Sequence, residues 1–213
     1  MLSVVKNDRM TARLHDRTTS ERIWAIVLAG GESKRMGTPK MMIPFRGGTI
    51  ISTAVKNILE SDIKNVIVVL GAYRSGVKKA TEQLDVKYCY NPDYREGMLS
   101  SVRCGFRSLP DDLRAALVFP GDQPLIGPEV VNLVINAYLQ TGKGMVVPVY
   151  DGQRGHPLLV DGKYRDEIQK LEGPDGLREL ARRNPDDVLE IETDNPLILK
   201  DIDTREDYLN VLR

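Results

Sequence analysis

A pair of adjacent glycines, Gly30 and Gly31, and three cations stand close together in Ala29-Gly30-Gly31-Glu32-Ser33-Lys34-Arg35-Met36-Gly37-Thr38-Pro39-Lys40. The apolar run from Trp24 to Leu28 leads into them, a pattern that predicts a buried strand stopping at a glycine turn and opening into a polar loop. Such a loop suits a polyanion, because phosphate oxygens are held well by backbone N–H groups at a strand-to-helix turn and by a few placed cations. Gly30 and Gly31 lack a Cβ and let the backbone lie against a ligand. Ser33 adds a hydroxyl donor, Arg35 a bidentate fork and Lys40 a mobile point charge, a division suited to a triphosphate. The loop has neither the Gly-Lys-Ser/Thr ending of a Walker loop nor the G-x-G-x-x-G of a dinucleotide fingerprint. On residue content it is either a phosphate grip or a glycine-rich turn with solvated charges.

Carboxylates for a metal come later in the chain. Asp122 follows the run from Ala115 to Phe119 and lies between Gly121 and Gln123, in a loop fixed by Pro120 and Pro124. Beside bound phosphates its charge calls for a divalent cation, and Mg²⁺ binds through one or two carboxylates plus substrate phosphates. The alternative role is a cap or turn. In Asp201-Ile202-Asp203-Thr204, Asp203 has Glu206 three residues on, the spacing of a capping box. That makes Asp201 the expected second metal ligand and Asp203 the expected cap, with the reverse assignment open.

Short β-branched runs alternate with amphipathic segments, which predicts an α/β fold: a three-layer αβα Rossmann-like sandwich on a mixed, mostly parallel sheet. Strands are expected near Trp24–Leu28, Asn65–Leu70, Val86–Tyr90, Ala115–Phe119, Met145–Tyr150, Gln153–Val160 and Val188–Glu192. Helices are expected over Thr49–Glu60, Ser75–Leu84, Leu99–Ser108, Pro128–Gln140, Tyr164–Leu171, Leu177–Arg183 and from Thr204. Asp151-Gly152 is a hairpin signal, so one connection is antiparallel. In open sheets of this kind ligands bind beyond the carboxyl ends of the strands, where the polar loops are expected to converge.

Lys plus Arg and Asp plus Glu number 30 each, which argues against nucleic-acid or membrane attraction and makes any anion binding local. Cys89 and Cys104 lack a C-x-x-C spacing and read as free thiols, in keeping with a cytoplasmic protein. Residues 1–22 are polar, without a signal-peptide core, and read as a mobile extension carrying His15, ahead of one domain over 23–213. Trp24 reads as packing, and Arg178, Arg182 and Arg183 as one solvated helix face.

Taken in order, the segments Leu28 to Gly37 with Lys40, Asn91 through Gly97 to Ser101, Gly121 to Pro124, Arg154-Gly155-His156-Pro157, and Asp201 to Thr204 resemble the molybdenum-cofactor nucleotidyltransferases, most nearly the cytidylyltransferase branch. The resemblance spans Ile23 onward. It implies a nucleotide-diphosphosugar-transferase-like fold, CTP as donor, Mg²⁺ as cofactor and molybdenum-loaded molybdopterin as acceptor, with delivery to a molybdoenzyme or its chaperone. Leu28, Ala29, Gly30, Gly31, Ser33, Arg35 and Lys40 correspond to the nucleotide site, Gly71, Asn91, Gly97, Met98, Ser100 and Ser101 to its base and ribose side. Gln123, Arg154, Gly155 and His156 correspond to the acceptor pocket, Arg35, Lys40 and Asp122 to the catalytic groups, and Asp122 with Asp201 to the metal ligands. Gly30 departs from the branch, which usually carries alanine there; Leu-Ala-Gly-Gly is commoner in guanylyltransferases, so GTP is the alternative donor. The same residues would also serve a sugar- or polyol-phosphate nucleotidyltransferase, or an NTP-binding cofactor carrier without turnover.

Overall fold

A computed structural model of the chain describes residues 21–212, so the extension expected over 1–22, His15 included, lies outside the described residues save for Glu21 and Arg22. The first strand, β1 (Ile23–Ala29), is buried at every position, as a central strand covered on both faces must be. Its side chains alternate between two cores. Ala25, Val27 and Ala29 face one, and Trp24, Ile26 and Leu28 face the other.

The remaining strands are β2 (Pro44–Phe45), β3 (Gly48–Thr49), β4 (Asn65–Leu70), β5 (Lys87–Tyr90), β6 (Ala115–Pro120), β7 (Met145–Tyr150), β8 (Gln153–Arg154), β9 (Leu158–Asp161) and β10 (Val188–Glu192). The eight-stranded sheet runs β10-β7-β9-β6-β1-β4-β5, with β8 attached to β7, and β2 and β3 form a separate hairpin. β9 runs antiparallel between β6 and β7, which makes an otherwise parallel path mixed. The hairpin expected at Asp151-Gly152 is present as the β7–β8 pair. The single strand expected over Gln153–Val160 is instead split into β8 and β9 at Gly155-His156-Pro157, where the peptide before Pro157 is cis and the backbone leaves the ladder.

Helices α1 (Ile50–Leu59), α2 (Arg74–Thr81) and α4 (Pro128–Thr141) cover one face of the sheet. Helices α3 (Met98–Arg107), α5 (Arg165–Lys170) and α6 (Leu177–Arg183) cover the other, and α7 (Arg205–Val211) follows β10. Thr49 caps α1 with Ser52 in a reciprocal capping box, and Pro128 opens α4 at its first turn. A small third cluster of Phe45, Ile50 and Ile202, joined by Tyr208 and Val211, fastens α7 to the β2–β3 hairpin. The Tyr208 hydroxyl donates to the Pro44 carbonyl at 2.7 Å.

α3 packs on the sheet through Gly105. A Cβ there would lie 2.5 Å from Ile26 Cγ2 and 3.3 Å from Val69 Cγ2. Gly105→Ala therefore sets a helix-propensity gain of about 1 kcal/mol against an overpacking cost of roughly 1–3 kcal/mol. We expect the cost to win because both neighbours belong to central strands. Urea unfolding should show a lower midpoint at unchanged slope; a higher midpoint would mean that α3 shifts without penalty.

Candidate functional site

β4, β1 and β6 lie side by side and parallel, with Ala29 opposite Leu70 and Leu28 opposite Pro120. The loops after them start from one edge of the sheet. The chain crosses back over β1 between β5 and β6, so the carboxyl end of β1 is the topological switch point where such sheets bind ligands. Glycines let these loops touch. A Cβ on Gly71 would fall 2.4 Å from the Gly30 carbonyl oxygen, and Ala72 N–H donates to that same oxygen at 3.2 Å. Gly121 N–H donates to the Leu28 carbonyl at 3.0 Å.

Beyond Gly31 the loop is shaped by Ser33, at φ 52°, and Gly37, at φ 66°, which bracket a single 3₁₀ turn at Lys34–Met36. The Ser33 hydroxyl accepts from Lys40 N–H at 3.2 Å, which closes the loop on itself. The cleft so formed, about 310 Å³, is lined by Gly31, Glu32, Ser33, Arg35, Lys40 and Asp203 among others. Glu32, absent from the sequence-based site, accepts from Lys34 at 2.9 Å and pairs with Arg95 at 3.5 Å; the hydrogen bond from Lys34 is the main cause of its lowered pKa.

At the centre of the site the Lys40 ammonium donates to Asp122 Oδ2 and, at 2.7 Å, to Asp203 Oδ1. Arg35 holds the other oxygen of Asp203 at 2.7 Å. Burial pulls the Lys40 pKa down, yet Asp122 and then Asp203 outweigh it, and the ammonium is held above its ordinary value. Asp201 accepts instead from the side-chain amide of Gln123. Burial, then the charges of Asp122 and Asp203, raise the Asp201 pKa against that hydrogen bond. The loop carrying both aspartates is fixed by Ile202, whose N–H donates to the Asp122 carbonyl at 3.1 Å while its side chain is buried against Phe45 and Ile50.

The cap of α7 differs from the expected Asp203–Glu206 box. Thr204 adopts the extended conformation of an N-cap, its hydroxyl accepts from Asp207 N–H at 3.1 Å, and Asp207 accepts from Thr204 N–H at 2.8 Å. Shifted by one residue, the box leaves the Asp203 carboxylate free to face Lys40 and Arg35.

Among the residues expected on the base and ribose side, Asn91 is 1% exposed and donates to Ser100 at 2.8 Å and to Ser101 at 3.0 Å. Ser100 in turn bonds the carbonyls of Asp93 and Gly97, both at 2.8 Å. These residues build the turn into α3, whereas Met98, 63% exposed, stands at its mouth. Gly97 at φ 105° is the hinge of that turn.

The expected acceptor residues part company. Arg154 turns to Glu190 on the edge strand β10 at 2.6 Å, and Gln123, 1% exposed, is buried with its Oε1 unpartnered. Gly155 packs against Ile198, and His156 N–H donates to the Ile198 carbonyl at 3.1 Å. The His156 imidazole faces Asp201, Asp122 and Arg178; burial above all lowers its pKa. Arg178 thus differs from Arg182 and Arg183, which are paired with Asp175 and Glu179 along α6.

Residues 25–188 match a family model described as MobA-like NTP transferase domain. The molybdenum cofactor cytidylyltransferase of Escherichia coli (strain K12) is 29% identical over 86% of this chain and 92% of its own length. The nicotine blue oxidoreductase of Paenarthrobacter nicotinovorans is 27% identical over 89% and 96%. The crystal structure of Rv0371c from Mycobacterium tuberculosis H37Rv superimposes with a TM-score of 0.78 at 25% identity, covering 91% of this chain and 98% of that one.

A depressed histidine has a defined pH signature. Above the ordinary value of 6.5 both folded and unfolded forms hold His156 neutral, and below it the unfolded chain takes the proton first. Stability is therefore lost as pH falls from there toward the folded pKa, at a limit of about 1.4 kcal/mol per pH unit. His156→Gln should remove that loss. Urea unfolding of both proteins at a series of pH values across this range measures the difference, and parallel curves would contradict it.

Proposed function

The chain belongs to the family of MobA-like NTP transferase domains, and we propose that its reaction is the transfer of CMP from CTP to the terminal phosphate of molybdenum-loaded molybdopterin, with release of pyrophosphate. The observation that carries this is the convergence of Lys40, Arg35, Asp122 and Asp203 beside the glycine loop at the end of β1. A cytidylyl donor is supported by the segments Gly97 to Ser101, Arg154 to Pro157 and Asp201 to Thr204, and by the activity named for the Escherichia coli relative. A guanylyl donor is favoured by one observation, Gly30, where a Cβ would lie 3.1 Å from the Ser101 hydroxyl.

Asp122 and Asp203 fit a divalent cation, because two carboxylates already share one cationic nitrogen there and both are hard oxygen donors. Mg²⁺ bound to them would neutralise charge on the nucleotide phosphates. Asp203 takes this role in preference to Asp201 because it shares the Lys40 ammonium with Asp122. The glycine-loop amides and Ser33 orient the triphosphate, and Lys40 and Arg35 stabilise charge as it moves toward pyrophosphate. The acceptor phosphate is already ionised near neutral pH, so no strong general base is required, which accords with a neutral His156 at the site's edge.

Pyrophosphate release from CTP, GTP, ATP and UTP, measured with Mg²⁺ and with or without loaded molybdopterin, tests the proposal. Acceptor-dependent release from CTP is expected. The same from GTP would transfer the assignment to a guanylyltransferase, and silence with every nucleotide would overturn both. Asp122→Ala and Asp203→Asn should each cost about a hundred- to a thousandfold in turnover, the scale of one lost preorganised electrostatic contact. Asp201→Asn should cost far less, and the reverse ranking would return the metal to Asp201. Gly30→Ala, whose methyl presses on Ser101, should raise the ratio of CTP to GTP use.

A further inference from the structure

Cys89 and Cys104 are far apart in sequence and adjacent in space. Cys89 lies opposite Val69 in the β4–β5 ladder, and Val69 faces the core beneath α3. Cys104, on α3, lies in that core with Cys89 packed against it, and its Sγ donates to the Tyr90 carbonyl, next to Cys89, at 3.5 Å. Cys89 is half-buried, and Cys104 keeps 7% of its surface open.

The pair is linked to the nucleotide side of the cleft. Two residues after Cys89, Asn91 holds Ser100 and Ser101, which precede Cys104 on the same helix. The Ser101 hydroxyl lies where a Cβ on Gly30 would come within 3.1 Å, so α3 abuts the glycine loop closely. We propose that Cys89 and Cys104 form a redox-active dithiol that hydroperoxides close to a disulfide, and that closure weakens nucleotide binding by drawing α3 toward β5.

The chemistry divides between the two sulfurs. The neighbouring Cys89, with help from Arg107 and Ser108, lowers the Cys104 pKa against the effects of burial and Asp93, and the Cys89 pKa is raised. The Cys104 thiolate attacks one peroxide oxygen, the O–O bond breaks, and Cys104 sulfenic acid and hydroxide form. Cys89, losing its proton, attacks the Cys104 sulfur and expels the second hydroxide. Two thiols and one hydrogen peroxide thus give one disulfide and two waters, the thiols supplying both electrons. A disulfide holds its two Cβ atoms about 3.5–4.5 Å apart, and closure draws α3 toward β5. The effect on nucleotide rests on the proposed function; formation of the disulfide does not.

The experiment treats the reduced full-length chain with a small excess of hydrogen peroxide. Intact mass and alkylation should show the loss of two hydrogens and of both reactive thiols, reversed by dithiothreitol. Cys89→Ser should stop at a dimedone-trappable sulfenic acid on Cys104. CTP or GTP affinity of the oxidised protein should fall by roughly tenfold or more, as expected for ångström-scale misplacement of positioning groups, and Cys89→Ser should not show the fall attributable to the crosslink. Wild-type protein that gains oxygen at one cysteine while the other stays free, or that resists peroxide, overturns the dithiol. A disulfide with unchanged nucleotide affinity overturns the coupling. Reduced protein that binds no nucleotide instead contradicts the proposed function, with the mass result still standing.

Discussion

Two carboxylates facing one another in a partly dry cleft require a cation between them, and the Lys40 ammonium meets that requirement for Asp122 and Asp203. Much of the surrounding architecture serves this contact. β6 ends so as to present Asp122, the Ser33 turn carries Lys40 inward, and Ile202, wedged against Phe45 and Ile50, delivers Asp203. With Arg35 on the outer oxygen of Asp203, two cations offset two anions. The cluster is neutral as it stands, and each half of it suits a different partner: the cations suit phosphate oxygens, and the carboxylates suit a hard metal ion.

The elements were legible wherever the reason for them was local. Strands buried on both faces are continuous β-branched runs, as in Asn65–Leu70 and Met145–Tyr150, and the edge strand Val188–Glu192 alternates instead; all three fall where the sequence places them. The turn at Asp151-Gly152 was readable because both residues take positive φ, at 49° and 70°. The hairpin at Arg46-Gly47 was missed, although its φ values of 46° and 79° belong to the same turn class; Arg in the first position hides the signal. The insertion of β9 between β6 and β7 was illegible for another reason. Strand order depends on pairings between distant segments, which no local periodicity encodes.

Within the site, residue types were legible and partners were not. The glycine loop, Lys40 and Asp122 announce themselves by chemistry. Which of Asp201 and Asp203 faces Lys40 depends on which of two overlapping capping patterns forms, and spacing alone does not show that Thr204 with Asp207 prevails. Gln123, assigned to the acceptor pocket by the resemblance, is buried and donates to Asp201. Arg154, on the short β8, pairs with Glu190 on β10, a partner that its sequence spacing does not reveal.

The distance along the chain between Lys40 and Asp203, 163 positions, bears on how this molecule is made. Domains emerge from the ribosome amino-terminal end first, at several residues per second. A nascent chain that has reached β6 already has the glycine loop, Lys40 and Asp122, but its ammonium faces one carboxylate where the finished protein gives it two. Charge balance arrives only when Ile202 docks into the hairpin that follows Lys40. Charge balance is thereby tied to the arrival of the segment that carries Asp203, and a fragment released before it would keep the anion-attracting loop without that counter-charge.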